Sequence, residues 1–153
     1  MRNLSPKVIT VHFSYDLTLP EKGLRLTESD GNYYLAEFYP MIATFRNHKW
    51  NKEPYLFHGE TYHTAFSDFT VTYNIPKSYT LASTSENDRF PSQNRGSFSV
   101  NRVKEIFITL LKKPRFATAE QDGTSIRVFG SNKKVSHEVL QEAEKSFSFY
   151  QKK

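Results

Sequence analysis

A mainly β domain, a twisted sheet or β-sandwich with one C-terminal α-helix, is what this 153-residue sequence predicts. Thirteen Phe, nine Tyr and one Trp make 15% of the chain, and aromatic side chains favour pleated, half-buried surfaces. Residues 9–19 and 69–75 alternate apolar and polar positions with the period of two that a strand imposes. After Ser136 apolar residues recur instead at helical spacing, so a helix closes the chain.

The elements follow in order. Ile9, Val11, Phe13, Tyr15, Leu17 and Leu19 alternate with Thr10, His12, Ser14, Asp16 and Thr18, predicting a strand with one buried face. Pro20 ends it, and 20–23 and 29–32 are turn sequences. The stretch 33–45 is apolar on both faces but contains Pro40, which a central strand does not tolerate, so a bulge, edge or break is expected there. Residues 46–65 predict a long irregular stretch carrying Trp50, Tyr55, Phe57 and Tyr62 with His48, His58 and His63. A second clean strand is predicted at 69–75, a turn at Pro76-Lys77-Ser78, a return strand at 79–84, an exposed polar loop at 85–95 and a short strand at 97–100.

Residues 103–111 carry conflicting signals. Val103, Ile106, Phe107, Leu110 and Leu111 have helical spacing, whereas the run Ile-Phe-Ile-Thr-Leu-Leu has the composition of a buried strand. Asp122-Gly123 between two apolar stretches predicts a hairpin, because both residues tolerate positive φ. In the final helix Ser136 is the expected N-cap, Glu138 complements the N-terminal dipole, and Val139, Leu140, Ala143, Phe147 and Tyr150 form one face.

Composition excludes several chemistries. No cysteine means no disulfide scaffold, thiolate cluster or thiol nucleophile. The net charge of +5 is spread along the chain, its tightest basic groups being Lys112-Lys113-Pro114-Arg115, Lys133-Lys134 and Lys152-Lys153. These are the marks of solvated faces, and nucleic acid is not the expected partner. No apolar run approaches the roughly 20 residues of a membrane span, and the first residues have no signal-peptide h-region.

His58, Glu60 and His63, with Asp68 beyond, have zinc-ligand chemistry, but this spacing in a loop does not fix a tetrahedron. Glu37 lies among aromatic residues as a candidate acid; its plain reading is an outward-facing strand residue, and no second carboxylate is placed beside it. Ser83-Thr84-Ser85 and Ser97-Phe98-Ser99 lack a nucleophile elbow, and the glycines form no phosphate loop. The aromatic loop 50–62 offers rings for stacking on sugars or bases, or for plugging onto a sheet.

One string is Tyr34-Leu35-Ala36-Glu37-Phe38-Tyr39-Pro40-Met41-Ile42-Ala43. Another is Phe66-Ser67-Asp68-Phe69-Thr70-Val71-Thr72-Tyr73-Asn74-Ile75-Pro76-Lys77, followed by Leu81-Ala82-Ser83-Thr84. Together they resemble the N-terminal β domain of zinc metallopeptidases of the aminopeptidase N family, with Ser85 where the family has glycine. The order of 103–116, the Asp122-Gly123 hairpin, Arg127-Val128-Phe129 and the terminal helix extends the resemblance from about Lys7 to Lys153. It implies a saddle-like β domain over 1–132, a strand at 103–111, and at 133–153 the start of a helix leading to a catalytic domain absent from this chain.

The zinc-binding His-Glu-x-x-His, the Gly-x-Met-Glu-Asn motif and the Thr-Gln-x-Glu stretch of the family do not occur, so no catalytic, cofactor-binding or metal residue is expected in the chain. Zinc and a peptide substrate belong, by resemblance, to the parent enzyme, whose cleft this domain would wall. The other reading is a free-standing module that binds glycan, peptide or single-stranded nucleic acid through loop 50–62. The resemblance further implies family strands upstream of residue 9, and hence an unpaired sheet edge and an edge-strand homodimer.

Overall fold

The computed structural model describes residues 8–52, 54, 56, 58–59 and 64–151. Among these, ten strands precede one helix, and every strand pairing is antiparallel. The chain is mainly β, as its aromatic content and alternation predict. No helix of the described residues is long and apolar enough to cross a membrane.

β1 (Leu26–Ser29) and β2 (Asn32–Ala36) form a hairpin whose turn residues, Asp30 and Gly31, both have positive φ. Glu28 holds this turn through its Oε1, which accepts from the Gly31 amide at 2.7 Å. After β2 the backbone turns left-handed at Glu37 (φ 56°). The side chain of Glu37 pairs with Arg25 at 3.0 Å, so this carboxylate is not the outward residue of a regular strand. The break expected around Pro40 is present, and the chain resumes as the small hairpin β3 (Thr44–Arg46) and β4 (Lys49–Asn51). Asn47 and His48 both take positive φ, the conformation a two-residue hairpin turn demands. The long irregular stretch expected from residue 46 therefore begins as a hairpin.

β5 (Ser67–Asn74), β6 (Tyr79–Ser83), β7 (Arg95–Val103) and β8 (Phe107–Lys112) build the centre. One sheet runs in the order β1-β2-β8-β6, and β5 pairs with β7 in a second. Leu81, Phe98, Ile106 and Ile108 are buried between them, with Leu35, Phe69, Val71, Tyr73 and Leu110 packed around. Residues 103–111 are neither a helix nor one strand: β7 ends at Val103, Ile106 plugs the core, and β8 starts at Phe107. Ile108 belongs to one face of β8 and Thr109 and Leu111 to the other, and all three are buried. A strand buried on both faces reads as a continuous apolar run, which mimicked helical spacing.

β9 (Arg115–Gln121) and β10 (Thr124–Gly130) form the hairpin predicted from Asp122-Gly123, with φ of 48° and 76° at the turn. α1 (Lys133–Gln151) packs on this hairpin. Its cap is not Ser136. Asn132 Oδ1 accepts from the amides of Lys134 (3.0 Å) and Val135 (3.3 Å), and Ser136 is buried in the helix beside Gly130. The helix thus starts four residues early, Glu138 falls outside its first turn, and the inward face is Ser136, Leu140, Ala143 and Phe147. Val139 and Tyr150, expected on that face, are exposed.

Two further expectations are corrected. The segment 9–19, the cleanest alternating pattern in the sequence, is not a strand: its residues join no sheet, and all of its large apolar side chains but Leu19 are exposed. Alternation gives a segment the capacity to be half-buried, but a strand also needs an edge to pair with. The polar loop 85–95 is not simply exposed. Ser85 is buried, and its hydroxyl donates to the Ser99 carbonyl at 2.9 Å. Its neighbours take up the outer edge of β6: Leu81 N donates to Ser92 Oγ at 2.7 Å and Ser83 N to Asp88 Oδ2 at 2.8 Å.

Candidate functional site

One concave surface joins two stretches distant in sequence. Tyr39, Pro40, Met41 and Ile42 make one wall of a groove of about 570 Å³, Ala65 and Phe69 another, and Arg46 and Lys104 contribute cations. Local chemistry explains the first wall. Left-handed Glu37 and Pro40 together prevent β2 from continuing, so the apolar residues after it pack as a rim instead of pairing in a sheet.

Tyr39 fixes the two walls to each other. Its ring meets that of Phe69 at 5.3 Å and that of Phe38 at 5.4 Å, both edge-on. Its hydroxyl accepts the Ile106 amide at 3.2 Å, which satisfies a backbone donor at the core plug. Burial pushes the Tyr39 phenol above the usual tyrosine range; the Glu105 and Glu37 carboxylates push the same way, and the Ile106 amide opposes them. The phenol is therefore a neutral structural group at physiological pH.

The second wall is set by a bulge. The β5–β7 register shifts between Ser67 and Phe69, and Arg102 opposite takes φ 55°. Asp68 Oδ1 accepts the Arg102 amide at 2.9 Å and so satisfies the backbone group that the bulge displaces. Thr64 donates to the Lys104 carbonyl at 2.8 Å, and the Lys104 ammonium lies 5.7 Å from the centre of the Phe66 ring. Near this end the rings of Phe45 and Trp50 meet at 5.0 Å across the β3–β4 hairpin, both more than half exposed.

The groove's lining has no His, Asp or Glu among the described residues. It can hold an extended apolar chain and attract an anionic group, but it brings together no acid–base pair. Among the described residues, no group of three His, Asp or Glu gathers that could hold a metal ion. Of the metal candidates, Asp68 serves the bulge, while Glu60 and His63 lie outside the described residues, as do Tyr55, Phe57 and Tyr62 of the aromatic loop. Trp50, read as part of that loop, is on β4.

Sequence reasoning missed the groove because its walls meet through tertiary packing. Pro40 was the one local signal that the chain departs from a sheet there. It also missed that two basic groups converge: Arg115 and Lys133-Lys134 border one cavity of about 510 Å³ with Phe116 and His137.

No family model, no curated protein and no solved structure matches this chain.

Proposed function

We propose that this chain is a non-catalytic β domain of an aminopeptidase N-type zinc enzyme and forms one wall of the cleft that receives the peptide. The observation that carries this reading is a convergence. The two strings that resemble the family, 34–43 and 66–77, lie far apart in sequence, yet Tyr39–Ala43 of the first and Ser67 and Phe69 of the second line one groove, joined by the Tyr39–Phe69 ring contact. An apolar trough with cations at its rim suits the side chains of an extended peptide and an acidic group on it. By resemblance the zinc belongs to the parent's catalytic domain, and this chain's part is to position the peptide and exclude other substrates.

Two measurements test it. The purified chain, supplemented with zinc, is expected to release no product from aminoacyl chromogenic substrates; turnover above buffer would overturn the non-catalytic assignment. The reading frame of the parent gene is expected to encode a His-Glu-x-x-His helix, and a frame without one removes the aminopeptidase reading.

A free-standing binding module is the second reading. The exposed Phe45–Trp50 pair favours it, because neighbouring rings with free faces stack on flat ligands. Titration of Trp50 fluorescence with peptides, oligosaccharides and single-stranded oligonucleotides separates the ligand classes. A steep loss of affinity with salt marks the nucleic acid.

A further inference from the structure

Residues 8–19 join no sheet or helix. The Tyr15 hydroxyl donates to the Phe38 carbonyl at 2.7 Å. Among the described residues this is the only hydrogen bond that residues 8–19 make. Beyond this tie every apolar residue is well over half exposed, from 67% at Phe13 and 59% at Val11 to 82% at Ile9 and 90% at Val8. Residues 8–14 thus form an arm that leaves the body with Ile9, Val11 and Phe13 alternating with Thr10, His12 and Ser14.

The same molecule carries an edge that fits it. β5 has eight residues and pairs only with β7, so its second edge presents unpaired backbone groups among the described residues. By contrast, the outer edge of β6 is occupied by Ser92 and Asp88. On β5, Phe69, Val71 and Tyr73 face the core, while Thr70 and Thr72 on the outer face join Ser99 and Ser97 in a hydroxyl ladder. The arm has the same two-faced chemistry at the same period. Laid along β5, it would set apolar beside apolar and hydroxyl beside hydroxyl. Extended, residues 8–14 reach about 24 Å, enough to run along most of the β5 edge of about 27 Å.

We propose that the arm of one copy adds as a strand to the β5 edge of a second copy, with the second arm returning the exchange to close a symmetric dimer. The arm projects from its own body, and a second copy always supplies both arm and edge, which a closed two-fold pairing requires. Reciprocal exchange places roughly fifteen residues of each copy in the interface, fewer than the roughly 20–30 a side of a stable complex, so the dimer should form reversibly with concentration. The β5 edge shares Ser67 and Phe69 with the groove, but the exchange does not depend on the parent enzyme's activity.

Sedimentation velocity across a wide range of chain concentrations is the first test, with the double variant Val11→Asp/Phe13→Asp alongside. The expected result is a concentration-dependent dimer that the variant loses while its circular dichroism spectrum and melting temperature hold, since both positions are exposed. The absence of cysteine makes a second test clean. A Thr10→Cys chain mixed with a Thr72→Cys chain should give a two-chain product with a short bismaleimide. The proposal is overturned by a chain monomeric at all concentrations, by a dimer the arm variant leaves intact, or by a chain bearing both cysteines that cross-links only within itself.

Discussion

The Arg127 guanidinium meets the Asp88 carboxylate at 3.1 Å, joining the C-terminal hairpin to the loop that borders the central sheet. The Asp88 side chain is 2% exposed and spends its other oxygen on the amide and hydroxyl of Ser83. Arg127 also lies about 6 Å from the ring centres of Phe90 and Phe129, whose rings are 4.6 Å apart. One carboxylate therefore satisfies a sheet edge and a cation packed among aromatic rings.

Asp88→Ala removes all three contacts and leaves a mostly buried cation and a backbone donor unpaired. The expected loss is about 3 kcal/mol, read from the urea midpoint, with Asp88→Asn milder because it keeps an acceptor for Ser83. A loss within about 0.5 kcal/mol, the range of ordinary surface substitutions, would show that the loop does not depend on this pair.

Leu81→Ala should cost about 3 kcal/mol by leaving a cavity between the two sheets, since Leu81 is 2% exposed and belongs to the central cluster. Val139→Ala on the exposed helix face should cost only a few tenths of a kcal/mol. Parallel denaturation curves check the contrast; equal losses would place the helix face in a buried contact.

Alkaline pH should weaken the fold through Tyr39. Its folded phenol holds the proton more tightly than the unfolded one. The resulting stability is fully present below the usual tyrosine value of about 10 and is lost as pH rises past it. Tyr39→Phe should flatten this alkaline limb and cost about 1 kcal/mol at neutral pH, because the Ile106 amide loses its acceptor. An unchanged slope in the variant would assign the effect elsewhere.

Gly123→Ala should cost about 1 kcal/mol. An added Cβ would meet nothing within 4 Å, so the penalty comes from φ 76° alone. Gly96→Ala tests the opposite case. There the Cβ would lie 2.6 Å from the Tyr73 hydroxyl and 2.9 Å from its ring, so the ring must move off the strand pair it covers. Thermal melts distinguish the two: only Gly96→Ala should also change the near-ultraviolet tyrosine signal.

Local signals made part of this fold legible. Period-two alternation found β5, the Asp122-Gly123 turn found β9 and β10, and helical spacing found α1. Strands of three or four residues such as β1, β3 and β4 are too short to display a period, so the first sheet lost its edge strand in the sequence reading. The helix start was misplaced because Asn132 and Ser136 are both good caps, and packing of Ser136 beside Gly130 decides between them. The groove and the Asp88–Arg127 pair depend on contacts between residues about 30 or more positions apart, for which one sequence carries no local mark.

The loop beside β6 does with two side chains what another strand would otherwise do. Ser92 and Asp88 act as chain terminators for sheet growth: they fill the outward donors of Leu81 and Ser83, so no foreign strand can use that flank as a template. A variant lacking both would open that flank to strand addition, and its hazard would be association through the bared edge as well as loss of stability.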